Sequence, residues 1–312
     1  MSARDVVAFG EILWDVYETG PDTFRREPGG APANLAVALA RLGMRAAIVG
    51  AVSRDAFGDA LVARLAASGV DTSEIARLPA RTGLAFVRRD ARGEPSFLFY
   101  RHETADMMHG PAHLRPGCAR ATFAVCGTST MVREPLASAT RRFLDLAERA
   151  GAAVAVDLNV RAHLWPTPRA MRAAMAELAE RAAIVKASRE DLAALGGEAF
   201  LRRHAPRAVH VVTSGAGVAT AEGAGRVERS ALRAKCVDAT GAGDAFFAGV
   251  LAVLASRGAV PGSAAFTDEA TFEAIFSDAL RVGHMLGRRV VSKVGAVSGL
   301  VGLDRERRLL RR

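Results

Sequence analysis

From about residue 122 onward, short apolar runs alternate with longer helical patterns, and no other feature constrains the fold as much. The runs at 122–126, 153–157, 183–186 and 209–213 read as buried strands. Between them, 135–149 and 168–181 have helical spacing, and a short helix starts at Arg189. Such alternation predicts a mostly parallel sheet covered by helices on both faces. Ligands of these sheets gather beyond the carboxyl ends of the strands. Polar residues accumulate there: Asp157, Asn159 and Arg161 after one strand, Lys186, Ser188 and Asp191 after another, Thr213, Ser214 and Gly215 after a third.

The first 120 residues are less regular. Strands are expected at 6–9 and 46–49, with an extended continuation at 12–17 that sets Asp15 among apolar and aromatic neighbours. Alone, that acid reads equally as an edge-strand charge or as a ligand for hydroxyl groups. A loop at 28–34 follows, containing Gly29, Gly30 and Asn34, and leads into an apolar helix at 35–42 that Gly43 ends. The glycines let backbone approach a ligand, and Asn34 can donate and accept at once, as a sugar hydroxyl requires. An Asn cap on an ordinary loop is the plainer alternative. A helix starting at Asp55 carries Leu61, Val62 and Leu65 and closes near Gly69. Two strands at 82–89 and 96–100, joined by a turn at 90–95, could form a small separate sheet with 15–24, and Arg101 stands at its end.

Near the other end, Val237-Asp-Ala-Thr-Gly-Ala-Gly-Asp244 is a glycine turn opening straight into an apolar helix bearing Phe246, Phe247, Val250, Leu251, Val253 and Leu254. Gly241 and Gly243 permit close backbone approach. The unpaired N–H groups of a helix start make an anion site. Asp244 falls in the same turn. An acid there often serves only as a cap or dipole partner. The buried helix behind it and Asp238 and Thr240 before it favour a chemical task, that of taking a proton from something attacking a bound phosphate.

Composition removes other classes. The chain has 312 residues, half of them hydrophobic, enough for one large α/β core. No apolar run approaches the ~20 residues of a membrane span, and the start has no signal-peptide pattern, so a cytoplasmic protein is expected. Cys118, Cys126 and Cys236 form no CxxC pair, which argues against disulfides or zinc. The net charge of +9 comes from arginines spread along the chain, with Lys186, Lys235 and Lys293 the only lysines. That skew looks like codon usage, and its one dense cluster, at 305–312, reads as a solvated end; no nucleic-acid partner is expected. Anionic substrates suit the charge. No lysine follows a glycine, so there is no Walker A loop, and G-x-G-x-x-G is missing after the first strand.

With the glycine–Asn loop near the start and Asp238-Ala-Thr-Gly-Ala-Gly-Asp244 near the end, the chain resembles a ribokinase-like (PfkB) carbohydrate kinase over nearly its full length. Gly10-Glu-Ile-Leu-Trp-Asp15, Phe97-Leu-Phe-Tyr-Arg101 and Asp157-Leu-Asn-Val-Arg161 are most similar to the fructokinase and 2-keto-3-deoxygluconate kinase branch. The resemblance implies one three-layer α/β domain over 1–312, with a β-sheet lid from about 12–28 and 82–103 that often mediates a homodimer. It implies transfer of the ATP γ-phosphate to a sugar hydroxyl, fructose first, with ketodeoxygluconate or a nucleoside as alternatives, and a non-catalytic sugar- or nucleotide-binding relative as the other class. Asp244 would be the base, and the amides of Gly241, Ala242 and Gly243 the anion hole. Asp15, Gly29, Gly30, Asn34, Arg101 and Arg161 would hold the sugar; Lys186, Ser188, Thr213, Gly215, Gly243 and His284 would lie along the nucleotide. Mg²⁺ is implied, and in many members a monovalent cation such as K⁺.

Three departures stand out. Asp191 occupies the usual Glu position of an Asn-x-x-Glu motif, here Ser188-Arg-Glu-Asp191, and Glu190, one residue early, could stand in for that Glu in holding Mg²⁺, directly or through water. In Thr213-Ser-Gly-Ala-Gly217 the second glycine is displaced by one, and His284 stands where an Asn often lines the adenine pocket.

Overall fold

The computed structural model describes residues 4–89 and 95–310. The chain opens with β1 (Arg4–Phe9), β2 (Leu13–Gly20), β3 (Thr23–Gly29), α1 (Ala31–Arg41), β4 (Ala46–Ser53), α2 (Ala56–Ala67) and β5 (Ile75–Leu78). Then come β6 (Gly83–Arg89), β7 (Pro95–Tyr100), β8 (Ala121–Gly127), α3 (Leu136–Arg149), β9 (Ala153–Asp157), α4 (Pro168–Glu180) and β10 (Ile184–Ser188). The last third holds α5 (Arg189–Leu195), α6 (Ala199–His204), β11 (Val209–Thr213), β12 (Val218–Glu222) and β13 (Arg226–Ser230). It ends with α7 (Ala242–Ser256), α8 (Ala264–Thr267), α9 (Glu269–Val291) and α10 (Asp304–Leu310).

Nine strands form one sheet in the order β13-β12-β11-β10-β9-β8-β1-β4-β5. From β11 to β5 the pairing is parallel, and only β12 and β13 run antiparallel at one edge. Successive strand residues divide between two cores. Val6, Ala8, Phe123 and Val125 pack toward α1, α7 and α9, whereas Val7, Phe9, Ala124 and Val156 pack toward α3 and α4. The result is the helix–sheet–helix sandwich that the alternation predicted. Helix α7 is buried along 244–254, which is why its sequence is apolar all round. It meets α9 at Gly249, where a Cβ would come within 2.8 Å of the Gly283 backbone.

A second sheet of four strands, β3-β2-β6-β7, stands apart from the first. The expected turn at 90–95 falls mainly outside the described residues. Two readings need correction. Helix α1 starts at Ala31, four residues before the expected 35, because Pro32 in its first turn lacks only an N–H that has no helical partner anyway. Strands β12 and β13 were not anticipated: β12 is mostly small or polar, Val-Ala-Thr-Ala-Glu, and only Ala219 and Ala221 are fully buried. Among the described residues no helix is long and apolar enough to cross a membrane.

Candidate active site

The large sheet changes direction of growth between β1 and β8, with β4 and β5 added on one side and β9, β10 and β11 on the other. A crevice opens at the carboxyl ends of strands at such a switch point. Here it is a cavity of about 180 Å³ bounded by the small sheet, the start of α1 and the start of α7. That is smaller than most drug-sized sites and suits a small polar ligand.

The start of α7 is set by Gly241, which caps the helix in the left-handed region at φ 77°. A Cβ there would lie 2.5 Å from that of Ala296, so the turn tolerates glycine alone. Gly241 and Gly243 face the cavity. The Ala242 N–H instead reaches the Ala239 carbonyl at 3.2 Å. Asp238, fully buried, accepts N–H bonds from Thr240 at 2.9 Å and Gly295 at 2.9 Å and so ties the turn to the loop that follows α9. Thr240 lines the cavity, and its buried hydroxyl has no hydrogen-bond partner among the described residues.

Asp244 lies in the first turn of α7, and its Oδ2 accepts from Asn34 Nδ2 at 2.9 Å. That bond joins the two helix starts across the cavity. Burial raises the Asp244 carboxyl to about 7; the Asn34 bond opposes the rise, Asp157 adds to it, and Lys186 and Arg161 pull against it. Lys186, also buried, bonds both carboxylate oxygens of Asp157 at 3.0 Å. Burial acts to lower the Lys186 ammonium, but Asp157, Asp191 and Asp244 together outweigh it and hold it charged. A Cβ on Gly243 would sit 3.1 Å from Lys186 Nζ, so this cation lies directly beneath the glycine turn.

On the small sheet, Asp15 of β2 faces the cavity and is pushed up to about 8, by burial first and then by the charges of Asp244, Asp238 and Glu11. Gly29 on the neighbouring strand β3, paired with Leu13, lines no part of the cavity; a side chain there would collide with the Asp15 carboxyl. Gly30 lines the cavity at φ 101°, with the Glu11 carbonyl 2.3 Å from where a Cβ would stand. Arg101 is held by Asp106, with Nε 2.8 Å from Oδ2, and still borders the cavity. Arg161 does so too, its guanidinium 5.8 Å over the ring of Phe97, with no ion pair among the described residues.

The structure thus brings together Asp15, Gly30, Asn34, Arg101, Arg161, Lys186, Gly241, Gly243 and Asp244. The other candidates lie outside the cavity. Ser188 and Asp191 cap α5 reciprocally: Asp191 N–H donates to Ser188 Oγ at 3.0 Å, and Asp191 Oδ2 accepts from Ser188 N–H at 2.7 Å. The other Asp191 oxygen accepts from Val160 N–H at 2.7 Å, and Glu190 is exposed. Thr213 ends β11, and Gly215 occupies the turn beyond it. His284 on α9 packs edge-on against Phe246, its Nε2 3.0 Å from the Arg229 carbonyl oxygen. Residue-type reasoning did not assign site roles to Glu11, Ser129, Asp157, Phe97 or Phe99, all of which line the cavity. Asp157 was already among the polar residues expected beyond the strand ends, without a role of its own.

The comparisons with known proteins bear on the family and the fold. Residues 3–301 match the pfkB family carbohydrate kinase profile. Fructokinase-1 of Oryza sativa subsp. japonica is 40% identical over 201 residues, which is 62% of this chain and 62% of that protein. The alignment with that relative therefore spans under two thirds of its length. Solved structures match more fully. The fructokinase of Xylella fastidiosa with bound ATP superposes with a TM-score of 0.87 at 31% identity, covering 98% of each chain. A double mutant of Vibrio cholerae O395 fructokinase, in its fructose, ADP and potassium ion bound form, gives 0.86 at 28% identity, covering 99% of this chain and 100% of that one. With residues 3–301 of its 312 matched, the chain belongs to the pfkB family of carbohydrate kinases.

Proposed function

We propose that this protein transfers the γ-phosphate of ATP to a hydroxyl of a small sugar, with fructose as the acceptor. The observation that carries the reading is Asp244, bonded to Asn34 at 2.9 Å, at the glycine-bounded start of α7 and close to Lys186. The relatives named fructokinase supply the acceptor.

The chemistry follows from the charges. The acceptor hydroxyl sits against Asp244, whose pKa of about 7 lets it take the proton near neutral pH. As the proton moves to Asp244, the sugar oxygen bonds to the γ-phosphorus, and the bond from that phosphorus to the bridging oxygen breaks, leaving ADP. Positioning and charge stabilisation dominate phosphoryl transfer. The amides of Gly241 and Gly243 and the helix start would face the transferring group, with the Lys186 ammonium below. Asp15, Gly30 and Asn34 would orient the sugar, and the small sheet would act as a lid that keeps water from competing. Ser188, Thr213, Gly215 and His284 would border the nucleotide.

Among the described residues no cluster of three or more metal-ligating side chains exists, and both Asp191 oxygens already accept backbone N–H groups. Mg²⁺ would instead be carried on the ATP phosphates, with Asp191 and Glu190 able to hold it only through water, and when bound it would neutralise phosphate charge. A homodimer through the lid belongs to the same reading: Phe24, Leu98 and Tyr100, 58%, 60% and 56% exposed, lie on the small sheet. A second acceptor is favoured by one observation. Arg161 borders the cavity without an ion pair among the described residues, as a substrate carboxylate would need, which suits 2-keto-3-deoxygluconate.

The test is ADP release with ATP and Mg²⁺ over fructose, ribose, ketodeoxygluconate and nucleosides. Fructose is expected to give the highest kcat/KM. Turnover on ketodeoxygluconate alone would reassign the acceptor, and no turnover on any would remove the kinase reading.

A further inference from the structure

Glu11 follows β1 directly at the switch point and is 7% exposed, with the cavity as one of its boundaries. Its carboxylate bridges two walls of the site. Oε1 accepts from the Ala31 N–H at 3.2 Å, in the first turn of α1, and Oε2 accepts from Ser129 Oγ at 2.7 Å, in the turn that follows β8. A carboxylate has about four lone-pair sites. Two are filled by these bonds, and buried anionic oxygens are rarely left with open acceptor sites unless something polar meets them. Ser129 also lines the cavity, and its oxygen, having given its proton to Glu11, is free to accept. The neighbours are polar as well: the charge of Glu11 is felt by both Asp15 and Arg101.

We propose that Glu11 and Ser129 form a hydroxyl-reading subsite, in which the Glu11 carboxylate accepts a hydrogen bond from one hydroxyl of the acceptor other than the one phosphorylated. This rests on the sugar-binding reading of the cavity. It makes Glu11 a specificity residue: an acceptor lacking that hydroxyl leaves a buried anionic oxygen unpaired, which a polar site penalises strongly. The same carboxylate holds the first turn of α1, so the subsite and Asn34 move as one body.

The decisive variant is Glu11→Gln. A Gln amide keeps an oxygen to accept from Ala31 and offers an N–H to Ser129 Oγ, so both bridging bonds survive with the serine hydroxyl turned round. What disappears is the anionic acceptor facing the cavity. Wild type and variant are compared on fructose and on its singly deoxygenated analogues, by calorimetric binding and by ADP release with ATP. The expected result is a drop of roughly 10- to 100-fold for fructose in the variant. For one deoxy analogue the wild type itself is weakened, and the variant causes no further loss. The melting temperature and the KM for ATP stay at wild-type values. An equal loss on fructose and on every deoxy analogue would make Glu11 a purely scaffolding residue and overturn the proposal, as would an unchanged affinity for fructose. Binding decides the subsite even if turnover is absent, so loss of the kinase reading and loss of this inference are separate outcomes. Failure of the wild type to bind any of these sugars would overturn both.

Discussion

Replacing Asp244 by Asn should abolish turnover and make the protein more stable, and the second effect can be worked from the site. Burial lifts this carboxyl from its ordinary value of 3.8 to about 7. The folded chain then holds the proton more tightly than the unfolded chain does. Stability from this group is fully present below the unfolded value and is lost as pH rises through about 7. The rise of about 3 units corresponds to roughly 4 kcal/mol in total, and about 2–3 kcal/mol of it falls between pH 5 and 8. An Asn at 244 carries no such burden and can still accept from Asn34 through its amide oxygen, although it gives up the attraction of Lys186 and Arg161. The variant should therefore gain on the wild type by about 2 kcal/mol between pH 5 and 8, which is about 3 °C in melting temperature for a chain of this length. Thermal melts of both proteins across that range, without substrate, measure it; Asp15, which the Asp244 charge also pushes up, adds to the difference in the same direction. Turnover should fall by roughly 10²–10⁴-fold as the base is lost. A melting difference that does not change with pH would refute the account of Asp244 as a strained buried acid. Turnover within tenfold of wild type would refute its role as base.

Three further outcomes follow from the same geometry. With Asp244 at about 7, kcat/KM should fall about tenfold per pH unit below that value, and Asn34→Ala, which removes the bond favouring the ionised form, should move this acid limb upward; a limb that stays put rejects the Asn34–Asp244 coupling. Lys186→Met leaves Asp157 buried without its cation and should cost roughly 3–5 kcal/mol in denaturant titration, most of it regained in the Lys186→Met/Asp157→Asn pair. Gly241→Ala forces a side chain into the left-handed region and against Ala296, and should lower stability by roughly 1–3 kcal/mol while reducing kcat more than the KM for sugar.

Much of this was readable before any coordinates, for identifiable reasons. The parallel sheet is encoded locally, because each buried strand is a continuous apolar run and each helix has its own period. Asp15, Asn34, Lys186 and Asp244 could be nominated because each is a polar group set where apolar or glycine neighbours predominate. What was not legible depends on partners distant in sequence. Glu11 gains its meaning from Ala31 and Ser129, 20 and 118 residues away, and no local pattern announces either bond. Strands β12 and β13 were missed because they form an antiparallel edge in which only Ala219 and Ala221 are buried, so there is little apolar signal to read. The start of α1 was missed because proline and glycine looked like a loop, while the helix accepted proline in its first turn.

The charges of the site support one more step of argument. Asp15, Asp157 and Asp244 are all buried near one another, and of the cations that act on Asp244, Lys186 is already paired with Asp157 and Arg161 lies over Phe97. Without ligands the carboxyls at 15 and 244 are raised to about 8 and about 7, so near neutral pH part of this acidity is quenched by bound protons. A sugar that donates hydroxyl hydrogen bonds to Asp15 favours its ionised form and lowers its pKa. A triphosphate entering beneath the glycine turn brings negative charge toward Lys186 and Asp244, which raises the latter's affinity for a proton. The two substrates thus push in opposite directions on the proton balance, and the second push is toward the protonation that the reaction itself performs. A base must be ionised before it can accept the hydroxyl proton, so in the proposed reaction the pull of Lys186 and Arg161 toward the ionised form has to offset the phosphate charge.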